Sequence, residues 1–295
     1  ISRALEQIQW EAVNEFLTNL FIIAVGFYAL IKSPSSESLT YAYILGTGIG
    51  LLSMIYTLRH YFTKIFTHFN GKLIMPILSS SLPFAFASFL GAIMINTDLI
   101  MLGWMRSPEE IGFYSAAQKP IQLLYTMAGL FATSLFPILS RLYKEGNMER
   151  AKNIFEQSLT ASLFIALPTA IVGLPLGADI IRLLFGQEYM PAAGSFQVLL
   201  LTLLIIFPSV IVSNALLAFN EQKKFIRFSL IGAIGNVIFN FLLIPYLGII
   251  GCAISTLIAQ IFANGFIWKK MDGIMNFEIF NKLWKIAGAS FASAI

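Results

Sequence analysis

A chain of 295 residues with 57% hydrophobic and only 12% charged side chains cannot coat itself as a water-soluble globule does, since such domains run near a quarter charged. An aromatic content of 14% excludes low complexity and disorder, and a single cysteine, Cys252, excludes a disulfide framework. The formal charge of +4 says less than the placement of the 19 Lys and Arg residues that make it.

Crossing the hydrocarbon core takes roughly 20 apolar residues. Runs of that size recur at 10–31, 39–58, 76–103, 112–138, 158–176, 192–219, 228–247 and 249–268, and a ninth begins near 283. None shows the ten-residue, period-two alternation of barrel strands. The pattern predicts an all-α, polytopic transmembrane helical bundle. The chain opens at Ile1 without a methionine and stops at Ile295 inside an apolar run, so a fragment of a longer protein is expected.

Basic residues in short loops set orientation. Fifteen of the 19 fall on one side, at Arg3 and in segments 59–72, 140–157, 220–227 and 269–285. Lys32, Arg106 and Arg182 fall on the other, with Lys119 inside the fourth span. The richer side is expected to face the cytoplasm, and the protein to be multi-pass in the inner or plasma membrane. These loops read as topology anchors and lipid contacts rather than as nucleic-acid sites. Segment 59–72 mixes Arg59, Lys64 and His68 with Tyr61, Phe62 and Phe66 and reads as an inner interfacial helix. Segment 178–191 sets Asp179, Arg182 and Glu188 beside five large apolar residues and reads as an outer interfacial one.

A charge at the bilayer centre costs about 2.5–3.5 kcal/mol on insertion scales and is kept only against a bundle interior or a wet cavity. Asp98 ends the third span and Lys119 begins the fourth, which brings an acid and a base to similar depth on consecutive antiparallel helices. One reading is a cavity site in which Lys119 meets an anionic cargo and Asp98 is its counter-ion or a protonatable gate. The other is a structural ion pair, or a lysine snorkelling to the interface. Polar stripes recur at helical spacing: Glu11, Asn14, Glu15 and Thr18; Asn236 and Asn240; Thr256, Gln260 and Asn264. Together they suggest a shared polar cavity, although interhelical hydrogen bonding accounts for any one of them. Gly46–Gly50 and Gly173–Gly177 are small-residue pairs suited to close helix contact. No metalloprotease, phosphate-loop or nucleophile-elbow signature is found, and the two histidines lack carboxylate companions. Neither catalysis nor a cofactor is expected.

The stretch NTDLIMLGWMRSPEEIGFYSAAQKPIQLL at 96–124 resembles the seventh and eighth helices of polysaccharide-unit flippases, members of the multidrug/oligosaccharidyl-lipid/polysaccharide exporter superfamily. LFPILSRLYKEGN at 135–147, LLFGQEYMPAA at 183–193 and IPYLGIIGCAISTLIAQ at 244–260 continue the likeness in order. The resemblance implies a MATE-like fold. Residues 1–72 would hold the last two helices of a first lobe and a linker, 73–270 a complete six-helix second lobe, and 271–295 the start of an additional helix. It further implies movement of polyprenyl-pyrophosphate-linked oligosaccharides to the outer leaflet, in contact with membrane lipids and alongside a polysaccharide polymerase and glycosyltransferases. Asp98 and Lys119 match its pattern, with Arg141 a further candidate. A cation-coupled drug exporter and a peptidoglycan-precursor flippase are the alternatives.

Overall fold

The structure, a computed structural model, describes residues 8–67, 71 and 74–277; the ninth apolar run lies outside them. The chain divides into two units, Ile1–Ser81 and Leu82–Ile295.

In the first unit, α1 (Ile8–Lys32) and α2 (Ser36–Thr67) form a pair. Ser35 starts α2 by accepting the Ser38 N–H at 3.2 Å. The expected Gly46–Gly50 contact is where the two helices meet. A Cβ on Gly46 would lie 2.2 Å from Ile22, and one on Gly50 2.4 Å from the Thr18 hydroxyl. Asn14 seals the crossing by donating to the Gly50 carbonyl at 3.3 Å. Segment 59–67, read from the sequence as part of a separate interfacial helix, continues α2 without a break. Residues 68–70 and 72–73 lie outside the described set.

The division between units falls within α3 (Ile74–Met105), later than the 72/73 boundary expected from the sequence. The second unit adds α4 (Pro108–Lys144), α5 (Met148–Phe185), a 3-10 turn (Gln187–Ala192), α6 (Ala193–Ala218) and α7 (Gln222–Met275). Both α4 and α5 overrun their predicted spans. At 37 and 38 residues they measure about 56 Å, against about 30 Å of hydrocarbon. Hydropathy marks only the lipid-embedded part of such a helix. The loop expected at 140–157 and the interfacial segment expected at 178–191 are therefore mostly helical. Between α4 and α5 only residues 145–147 intervene, with Gly146 at φ 72° and Asn147 accepting the Arg150 N–H at 3.2 Å. Segment 178–185 is the last part of α5, and its Leu183 and Leu184 are exposed.

The α6 helix runs through the middle of this unit. One core gathers Tyr114, Ile121, Leu200, Leu203 and Ile244 around its first half, and a second gathers Leu139, Phe155, Ile211, Leu216 and Ile267 around its second. Gly173 and Gly177 let α5 approach it, since Cβ atoms there would lie 3.0 Å from Leu200 and 2.6 Å from Gln197.

Although helical geometry is almost unbroken from Gln222 to Met275, α7 is a hairpin. Gly248, at φ 58° and ψ −134°, turns the chain back. Asn236 donates to Thr256 at 3.2 Å, and the Phe239 and Phe262 rings stack at 6.1 Å. In a straight helix residues 20 apart would be separated by about 30 Å. The arms 222–247 and 249–275 thus correspond to the seventh and eighth expected spans, and residues 271–275 belong to the second arm rather than to a further helix. Arg106 clasps the turn, donating to the carbonyls of Ile244 at 2.7 Å and Pro245 at 3.0 Å.

Among the described residues, six helices are long and apolar enough to cross a membrane. The 32-residue α3 carries Asp98 as its only charged residue. The protein is a multi-pass, all-α membrane protein.

Candidate functional site

Asp98, near the C-terminal end of α3, is only 6% exposed. One carboxylate oxygen accepts from the Tyr114 hydroxyl at 2.7 Å and the Thr256 hydroxyl at 2.8 Å. The other accepts from the amides of Asn236 at 3.0 Å and Asn240 at 2.8 Å. Spacing explains the last pair, because residues four apart share one face of a helix. Asn240 also donates to the Asn236 side-chain oxygen Oδ1 at 3.0 Å. The carboxylate therefore fastens α3 to α4 and to both arms of α7. Each such bond to a charged group contributes about 1.5–3 kcal/mol, which offsets the cost of holding a carboxylate away from water.

Beside Asp98 opens a hollow of about 450 Å³, walled by Gln118, Gln122, Tyr125 and Thr126 of α4, Ile206 of α6, and Asn236, Thr256 and Gln260 of α7. A second hollow of about 330 Å³ adjoins it through Ile206 and Gln260 and is lined by Ser209, Ser213, Asn214 and Asn264. Asn264 donates to the Gln260 side-chain oxygen at 2.7 Å. The Tyr125 hydroxyl is held by Thr202. Among the described residues no group of three or more His, Cys, Asp or Glu could hold a metal.

The fold brings together much of what the sequence singled out. Asp98, Asn236 and Asn240 form the cluster, Gln260 lines both hollows, and Asn264 lines the second. The expected pairing of Asp98 with Lys119 is not formed. Lys119 is exposed and does not line the hollow. It lies five residues beyond Tyr114, which turns it roughly 140° around α4 at 3.6 residues per turn. Arg141 is also exposed, in the last turn of α4, with Glu145 as its ion-pair partner at 3.9 Å. It sits about 40 Å along the helix from Tyr114 at 1.5 Å per residue. Glu15 is exposed on α1, and Glu11 lies on the same helix with its side chain outside the described set. Sequence reasoning passed over Tyr114, Gln118, Gln122 and Tyr125. Their spacing of four, four and three residues was the available signal, a polar and aromatic face on an otherwise apolar helix.

Two family models match. One, described as "Polysaccharide biosynthesis protein", covers residues 1–143; the other, MatE, covers 83–242 and so more than half of the chain. The chain belongs to the MatE family. That membership agrees with the exporter superfamily its motifs resemble. Among its relatives, "Capsular polysaccharide biosynthesis protein CapF" of Staphylococcus aureus is 28% identical over 70% of this chain and 52% of its own length. "Probable low-salt glycan biosynthesis flippase Agl15" of Haloferax volcanii is 23% identical over 78% of this chain and 48% of its own. The chain thus spans about half the length of these relatives. Its fold matches the solved structure "Lipid II flippase MurJ, inward closed conformation" at a TM-score of 0.80 and 21% identity, over 98% of this chain and 62% of that one.

Proposed function

We propose that the protein is a flippase that carries polyprenyl-pyrophosphate-linked oligosaccharide units from the cytoplasmic to the outer leaflet of the inner or plasma membrane, by alternating access between two helical lobes. It works without catalysis, on a lipid-linked substrate supplied by glycosyltransferases and passed to a polysaccharide polymerase. The observation that carries this reading is the hydrogen-bonding hollow beside Asp98, set among apolar helices of membrane length. Polar groups there are expensive, and a hydrated cargo gives them a use. The similarity to relatives named for capsular polysaccharide biosynthesis and glycan flipping supports the cargo class. Asp98 acts as the mechanical tie. Any change in its bonding moves α3, α4 and both arms of α7 with respect to one another.

The test is complementation of a bacterial strain lacking its polysaccharide-unit flippase. The full-length protein restores surface polysaccharide, and Asp98→Ala, inserted at wild-type level, does not. Failure of the wild type, together with raised resistance to cationic drugs, would assign the protein to drug export. Rescue of cells depleted of their peptidoglycan-precursor flippase would assign the cargo to that lipid.

A further inference from the structure

We propose that the hollow beside Asp98 is a recognition site for an uncharged sugar ring, with Gln118 and Gln122 as its specificity-determining residues. The inference rests on the flippase reading and narrows it: this unit of the protein reads the glycan, and the pyrophosphate is held elsewhere.

Three observations exclude the other ligand classes. Four donors already occupy the carboxylate of Asp98, and a carboxylate offers about four lone-pair sites. It has none left for a cationic guest. Among the described residues no Lys or Arg lines either hollow, whereas phosphate recognition draws on Arg, Lys or a helix N-terminus. A pyrophosphate placed here would meet the negative charge of Asp98 and no counter-charge among the described residues. The walls are nonetheless too rich in amides and hydroxyls for a purely apolar guest.

What remains is a neutral partner that both donates and accepts hydrogen bonds. Gln118 and Gln122 stand one turn apart on α4, half-buried, and no bond engages either side-chain amide among the described residues. Each amide presents two N–H donors and an acceptor oxygen, a match for neighbouring ring hydroxyls that are donor and acceptor at once. Gln260 faces them from α7 with its oxygen taken by Asn264, which leaves its N–H groups to donate. Tyr125, its hydroxyl fixed by Thr202, adds an aromatic panel for the C–H face of a pyranose. A volume of about 450 Å³ falls within the usual range for small-molecule sites and accommodates one or two rings. A site of this kind rejects analogues that lack a hydroxyl, because its amides would be left unpaired.

The test uses the full-length protein in lipid nanodiscs and saturation-transfer NMR with the methyl glycosides of glucose, galactose, N-acetylglucosamine and N-acetylgalactosamine. At least one should bind, and neither inorganic pyrophosphate nor tetraphenylphosphonium should displace it. Gln118→Leu with Gln122→Leu should weaken that binding at least about tenfold, the loss of two hydrogen bonds. Thr126→Trp, a bulky change at an exposed wall position, should do the same and serves if the double variant does not fold. The proposal is overturned if no glycoside binds, if either charged probe competes, or if binding survives these substitutions. The flippase reading fails separately. Glycoside binding without complementation by the wild type counts against that reading alone. Complementation by a double variant that no longer binds glycosides counts against the sugar site alone.

Discussion

Replacing Asp98 with alanine removes the acceptor shared by Tyr114, Thr256, Asn236 and Asn240. Inside membranes the measured average for a side-chain hydrogen bond is about 0.6 kcal/mol, and bonds to a charged group run from about 1.5 kcal/mol upward. Four bonds therefore sum to about 2–6 kcal/mol, less whatever is regained by no longer burying a charge. Cys252 reports on the change. It is fully buried on the second arm of α7, four residues from Thr256, and is the single cysteine of these 295 residues. A maleimide reaches it only when this part of the fold opens. Labelling in detergent should accelerate at least about 30-fold in Asp98→Ala, the factor that corresponds to about 2 kcal/mol, under conditions where opening is faster than reaction. Lys119→Ala, which removes an exposed side chain outside the cluster, should label at the wild-type rate. Equal rates for Asp98→Ala and wild type, within twofold, would refute the view that this carboxylate holds the four segments together.

Three further outcomes follow from the packing. Gly248→Ala forces an L-residue to φ 58° and ψ −134° and sets its Cβ 3.3 Å from the Glu110 carboxylate; thermal unfolding should reveal a loss of about 1–3 kcal/mol, and an unchanged midpoint would show that the turn relaxes freely. Arg106→Ala frees the Ile244 and Pro245 carbonyls, so amide exchange in 244–251 should quicken, whereas Arg106→Lys, lacking the planar fork, should restore only part of the protection. Gly50→Val drives a side chain to 2.4 Å from the Thr18 hydroxyl and should separate α1 from α2, measured as a fall in cross-linking between cysteines placed at 22 and 46.

Much of the fold was legible because crossing a bilayer is decided locally. Whether a run such as 192–219 is apolar enough and long enough depends on its own residues, so the helices fall where hydropathy placed them. Their ends were less legible. Lys144 and Met148 extend α4 and α5 into the polar zone by capping and backbone hydrogen bonding, which hydropathy does not sense. The small-residue pairs at Gly46–Gly50 and Gly173–Gly177 were readable as contacts, but not the partners they would meet.

The candidate site was half legible for a related reason. Depth along a helix can be counted from sequence, and it placed Asp98 and Lys119 at the same level. Direction around the helix axis relative to a neighbour cannot be counted, since it is set by how side chains interlock with the next helix. Packing against α6 turned Tyr114 rather than Lys119 toward Asp98. The reversal at Gly248 folded one arm of α7 onto the other and carried Thr256 to the carboxylate that Asn236 and Asn240 already reached. Sequence alone settled which residues are costly to hold in a membrane, because that cost belongs to each residue; only the tertiary structure decided which of them share the cost, because that depends on neighbours remote along the chain.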